Sequence, residues 1–143
     1  MWIKDTVEGI TKKYKTNDPF EIIAAKDIIL VERDMDEEIY GFYKYIRRNK
    51  FIFLNSKLNE PIKKFTCAHE LAHVELHPDT NTPFLRSNTL LSVDKIEQEA
   101  NRFAVELLLS DESICQYEDT NLTIKEIGGI YGVPDEVIHL KKF

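Results

Sequence analysis

Cysteine is scarce in this chain of 143 residues: Cys67 and Cys115 are the only two, and they offer no Cys-x-x-Cys or zinc-finger spacing. That argues against a disulfide-stapled secreted fold and against a thiolate metal knuckle, and it fits a reducing cytoplasm. Long apolar runs are missing as well. No stretch approaches the roughly 18 apolar residues of a membrane span, and Met1-Trp2-Ile3-Lys4-Asp5 lacks the apolar core of a signal peptide. A cytoplasmic protein with no membrane contact is expected. Glycine and proline number only five each, which excludes a low-complexity chain, and no repeat or interdomain linker interrupts the sequence.

Net positive charge is also absent. The formal charge is −6, and between Asp94 and Asp119 eight acidic residues face only Lys95 and Arg102. One small basic group, Lys44, Arg47, Arg48 and Lys50, reads as a solvated turn and not as a nucleic-acid surface. Tyr131-Gly132-Val133-Pro134 is similar to a helix-turn-helix turn. The helix after it, however, would open with Asp135 and Glu136, which phosphates repel. A structural helix pair over about 122–142 is expected there, with no direct nucleic-acid contact.

What is present suits an ordinary soluble globule, since 43% of residues are hydrophobic and the length fits one domain spanning 1–143. Ile3, Val7, Ile10 and Tyr14 recur at helical spacing. Asp18 with Pro19 and Glu21 predicts a capping box opening a short helix to about Lys26. Ile28-Ile29-Leu30-Val31 reads as a buried strand, followed by a polar connection over 32–38. Ile39 to Ile46 and Phe51 to Leu54 read as a hairpin around Arg47-Arg48-Asn49-Lys50, with Gly41 a bulge or a close backbone approach. Asp79 to Ser92 reads as irregular. From Asp94 to Leu109 a helix presents Ile96, Ala100, Phe103, Ala104, Leu107 and Leu108 on one face. The expectation is α+β: a small three-stranded sheet packed on a helical bundle.

The chemistry concentrates in Phe65-Thr66-Cys67-Ala68-His69-Glu70-Leu71-Ala72-His73, within a run free of helix breakers from Ile62 to Pro78. Residues i and i+4 share a helix face about 6 Å apart along the axis, so His69 and His73 can address one ion. Glu70 lies one residue round, where its carboxylate can reach a metal-bound water without being a ligand. A zinc hydrolase needs this pattern, because the ion lowers the water's pKa toward ~7 and a carboxylate takes its proton.

A catalytic zinc site usually has three protein ligands, and three candidates compete for the third place. His77 continues the i, i+4, i+8 series but stands about 12 Å along the axis from His69, too far to share its ion; it reads as a cap before Pro78. Asp79 lies six residues after His73, but the turn that would bring it back needs a glycine where Leu76 stands. Glu97 shares a helix face with Ala100 and Asn101. Ala100 permits close approach to the first motif, and Asn101 is placed to hydrogen-bond a ligand histidine from behind. Glu99 faces about 200° away and is expected in solvent. The alternative for Glu97 is an ordinary surface charge.

His-Glu-x-x-His followed by Glu97-Gln98-Glu99-Ala100-Asn101 is the pattern of gluzincin metallopeptidases. With Leu76-His77 and Arg102-Phe103-Ala104-Val105-Glu106-Leu107-Leu108-Leu109, the chain resembles the ImmA/IrrE family over roughly residues 18–140. Two positions depart from common usage: Ala72 where glycine is frequent, and Asn101 where other gluzincins carry Asp. The resemblance implies a zincin-like fold, with a His-Glu-x-x-His helix and a second ligand-bearing helix. It implies one zinc ion on His69, His73 and Glu97, with Glu70 as general base. It also implies, as substrate, a helix-turn-helix transcriptional repressor whose cleavage releases prophage, mobile-element or stress genes. A zincin would receive that substrate along the Gly41-to-Ile46 strand. The rival classes are a non-catalytic binding module on the same fold and a DNA-binding protein acting through the C-terminal helices.

Overall fold

The computed structural model describes residues 2–79, 84–85 and 89–143. Helix α1 (Trp2–Tyr14) buries Ile3 and Val7, as the helical spacing requires. Asp18 caps α2 (Pro19–Ala25) by accepting from the Phe20 N–H at 2.9 Å, and Pro19 sits where its missing N–H costs nothing. The expected capping box does not close. The Thr16 hydroxyl donates to the Glu21 carboxylate and accepts from the Asp18 N–H at 3.0 Å, so Thr16 is interposed between the two ends of the box.

Three expected strands are present, β1 (Ile29–Arg33), β2 (Ile39–Ile46) and β3 (Asn49–Asn55), but β1 is a partly exposed edge strand and not a buried one, with Ile29 41% exposed. A two-residue strand, β4 (Phe84–Leu85), extends the sheet to the order β1-β3-β2-β4. β1 runs parallel to β3 and continues through Glu32 and Arg33, which pair with Leu54 and Asn55. The polar connection therefore starts two residues later than composition suggests. β2 and β3 form the hairpin, and its tight turn is Arg47-Arg48 alone. Both have positive φ (50° and 69°), which matches the right-handed twist of the flanking strands. Lys44 lies over the Phe42 ring at 5.7 Å, so part of the basic group packs on the sheet. β4 pairs with Ile39 and Gly41 of β2, inside the segment read as irregular; its neighbours 80–83 and 86–88 lie outside the described residues. Gly41 does mark a close approach. A Cβ there would stand 2.5 Å from the Phe53 carbonyl oxygen and 3.1 Å from the Thr66 side chain.

Tyr43, Ile52 and Leu54 are buried where β2 and β3 pack on α3 (Glu60–Leu76). Asn59 caps that helix by accepting from the Ile62 N–H at 3.1 Å. Every residue from Phe65 to Val74 is buried, because α2, the sheet and α4 (Lys95–Leu108) all contact α3. Small residues make such crowding possible: Ala68 and Ala72 on α3 and Ala100 and Ala104 on α4 are wholly inaccessible. The first turn of α4 departs from the expected pattern at Ile96. Ile96, assigned to the apolar face, is 37% exposed, while Glu97 beside it is 4% exposed.

Helices α5 (Asp111–Cys115) and α6 (Ile124–Ile130) follow, and the Thr123–Glu126 capping box at the start of α6 closes in both directions. Gly132, at φ +82°, reverses the chain. The second C-terminal helix is a six-residue 3-10 helix (Asp135–Leu140) that buries Val137 and Ile138. A recognition helix would need a free face several turns long, which this one lacks.

A charge network centred on the buried Lys141–Glu106 pair ties the C-terminal segment to α4 and α1. The Lys141 ammonium donates to Glu106 at 2.7 Å and Asp111 at 2.8 Å, and the Lys142 N–H donates to the second Glu106 oxygen at 2.7 Å. Lys4 reaches Asp111 and the Lys142 carbonyl. Lys141→Met would leave the Glu106 carboxylate buried with one backbone N–H, and a buried pair that loses one partner costs about 3 kcal/mol or more. Urea unfolding should show that loss; a change below about 1 kcal/mol would mean the network is solvated.

Candidate metal centre

Two helices bring their side chains to one point. On α3, His69 and His73 stand one turn apart; on α4, Glu97 sits in the first turn, where a carboxylate suits the helix dipole. The Nε2 atoms of His69 and His73 are 3.2 Å apart. Oε1 of Glu97 lies 2.9 Å from His69 Nε2 and 3.3 Å from His73 Nε2. At metal–ligand bonds of about 2.0 Å, two corners of a tetrahedron are separated by about 3.3 Å. The three atoms therefore form one face of such a polyhedron, leaving its fourth corner open. Among the described residues this is the one cluster of His, Cys, Asp or Glu donors that could share an ion.

The ring nitrogens facing away from that point are occupied too. Nδ1 of His69 is 2.8 Å from Oδ1 of Asn101, and the Asn101 amide donates to the Thr89 carbonyl at 3.1 Å. That second bond orients the amide so that its oxygen faces His69, whose Nδ1 then carries the proton and whose Nε2 lone pair is free. Nδ1 of His73 lies 3.2 Å from Nδ1 of His77, and Nε2 of His77 lies 2.8 Å from Oε1 of Glu99. Phe84 walls the site, with its ring 4.5 Å from that of His69.

Burial, aided by the neighbouring His73, brings the His69 imidazole down to about 4 against the opposing pull of Glu97. Burial acts to raise the Glu97 carboxyl, but its hydrogen bonds and charge contacts with the two histidines outweigh that and hold it at about 2. At neutral pH His69 is thus neutral and Glu97 anionic, the forms in which they can bind an ion. Glu70 differs from both. It is wholly buried, and neither carboxylate oxygen meets a hydrogen-bond donor among the described residues. Burial, and then the charge of Glu97, push its carboxyl well above the usual range. A buried polar group without a partner is expensive and is a mark of function. The donor set, its spacing and the unpartnered Glu70 all fit one divalent ion with a water beside it.

His69, His73 and Glu97 converge; Asn101 meets His69; Asp79 is exposed and outside the donor cluster. His77 caps α3 as expected, with its N–H on the His73 carbonyl at 2.8 Å. Glu99 is not in solvent: it turns to His77 and is 17% exposed at the side chain. Nothing in the sequence marks Phe84 for this place, since Phe84-Leu85 is only a two-residue apolar pair in a mostly polar segment.

The sequence profile of the IrrE N-terminal-like domain, a peptidase family, matches residues 24–141. The chain belongs to this family. Membership places it among metallopeptidases. A relative, "Uncharacterized immunity region protein 2" of Bacillus phage phi105, is 50% identical over 139 residues, covering 97% of this chain and 88% of that protein. "Metallopeptidase ImmA" of Bacillus subtilis (strain 168) is 29% identical over 112 residues, 78% of this chain and 66% of that protein.

Proposed function

We propose that the chain is a zinc-dependent endopeptidase, a single zincin-like domain that cleaves a helix-turn-helix transcriptional repressor in the cytoplasm. Cleavage would switch on prophage, mobile-element or stress genes. The observation that carries the reading is the convergence of three donor atoms beside a buried Glu70 that has no hydrogen-bond partner among the described residues. Similarity to a phage immunity-region protein supports the regulatory setting.

His69, His73 and Glu97 hold the ion, and Asn101 fixes the His69 tautomer. A bound zinc ion supplies Lewis acidity, lowering the pKa of water toward ~7. Glu70 takes the proton of the attacking water and passes it to the leaving amine. Phe84 and the buried flank of α3 keep bulk water from the ligand side of the site.

The substrate adds to the outer edge of β2 as an extended strand. β4 already pairs with Ile39 and Gly41, so the edge begins at Phe42 and not at Gly41 as the sequence suggests. From Phe42 to Ile46 this edge has no strand partner among the described residues. In a complex with an inactive variant, amide hydrogen exchange should slow over Phe42–Ile46. Protection confined to the C-terminal helices would place the substrate elsewhere.

The function is tested by incubating the zinc-loaded chain with the repressor encoded beside its gene and reading masses. New repressor fragments are expected, lost on chelation and restored by zinc. An intact repressor in cells where repression is nevertheless relieved would make the protein a binding module on a peptidase fold.

A further inference from the structure

The end of α3 carries two side chains that the three donors do not account for. At His77 the backbone leaves the helix (φ −138°, ψ 59°) while its N–H still bonds the His73 carbonyl. Pro78 drives that departure, since a proline ring disfavours helical backbone at the residue before it. The His77 imidazole folds back over the last turn, its ring centroid 5.3 Å from that of His73 and the planes tilted by 54°. Glu99, from the second turn of α4, meets it from the other side. Both side chains are largely withdrawn from water, at 10% and 17% exposure.

Counting protons gives the arrangement a direction. An imidazole that offers Nε2 to an ion keeps its proton on Nδ1. The Nδ1–H of His73 can only donate, so the Nδ1 of His77 facing it at 3.2 Å must accept. His77 accepts there when its own proton sits on Nε2, and the Glu99 carboxylate, an acceptor only, receives that proton's hydrogen bond. Donation runs one way, from His73 through His77 to Glu99.

The geometry points to His77 and Glu99 as a positioning relay that holds the His73 ring and tautomer for the ion. This rests on the reading that His69, His73 and Glu97 bind a metal, and it adds two residues to that site. The ligand histidines are supported differently: His69 by a neutral amide, His73 by a carboxylate acting through a second imidazole. A His77–Glu99 pair that merely fastened α3 to α4 would have no such direction.

The two roles separate by substitution in the full-length protein. His77→Asn keeps an acceptor oxygen where Nδ1 stood but no longer reaches Glu99; His77→Ala removes the acceptor. Zinc affinity, read by competition with a chromophoric chelator, should fall about 10–100-fold in His77→Ala, the usual effect of losing such a support. In Glu99→Gln, which retains an accepting oxygen, it should stay within about threefold; in His77→Asn, which keeps the acceptor toward His73 but loses Glu99, it should fall clearly less than in His77→Ala. In the zinc-loaded wild type, imidazole 15N spectra should show His77 protonated on Nε2 and a 15N–15N coupling across the bond to His73. Equal weakening in His77→Ala and His77→Asn, or wild-type affinity in His77→Ala, would overturn the relay while leaving the metal site standing. Failure of the wild type itself to bind zinc would overturn the metal site, and the relay with it.

Discussion

Glu70→Gln should lower the rate of peptide cleavage by about 10²–10⁴-fold while metal content stays at the wild-type level. The amide has nearly the volume of the carboxylate, so the packing of α3 against the sheet and α4 is kept. It cannot accept the proton of the attacking water, and among the described residues the other carboxylate at the site, Glu97, is already engaged with His69 and His73. The same substitution should stabilise the metal-free protein, because a carboxylate buried without a donor is penalised more than a neutral amide. A slower enzyme with a higher Tm would be the signature of a group retained for chemistry at a cost in stability. Cleavage within a few-fold of wild type would remove Glu70 from the mechanism.

The other large effect concerns the donors. His69→Ala, His73→Ala and Glu97→Ala should each reduce bound metal from one ion per chain to less than about a tenth, because two protein ligands rarely retain what three hold. With zinc in excess, Glu99→Ala and Asp79→Ala should remain loaded. Glu97 and Glu99 are only two residues apart, so this contrast is the sharpest available. Full metal in Glu97→Ala, with an empty site in Glu99→Ala or Asp79→Ala, would reassign the third ligand. Elemental analysis of the purified variants reads it directly.

Several features were legible in the sequence because they are local. The His69–His73 pair depends on helix pitch alone, and Asp18 acts as a cap through an atom two residues away. Glu97 was reachable because Ala100 and Asn101 share its face. What could not be read depends on distant partners. β4 exists only through its pairing with β2, and the extension of β1 through Glu32 and Arg33 only through β3. Helical periodicity placed Ile96 inside, but it lies in the first turn of α4 and is 37% exposed. Glu99 was assigned to solvent by its angle from Glu97. Its partner, His77, comes from another helix and reaches it only because Pro78 ends α3 there. Pro78 announced the break but not the direction in which the His77 ring would turn.

Anomalous diffraction from a crystal of the zinc-loaded protein, measured across the zinc edge, tests the central claim most directly. One peak per chain is expected, about 2.0–2.2 Å from the Nε2 atoms of His69 and His73 and from a carboxylate oxygen of Glu97, with Glu70 beyond bonding distance of the ion. A peak seated on His77 and Glu99, a peak with Asp79 as ligand, or no peak at His69 and His73 would contradict the claim.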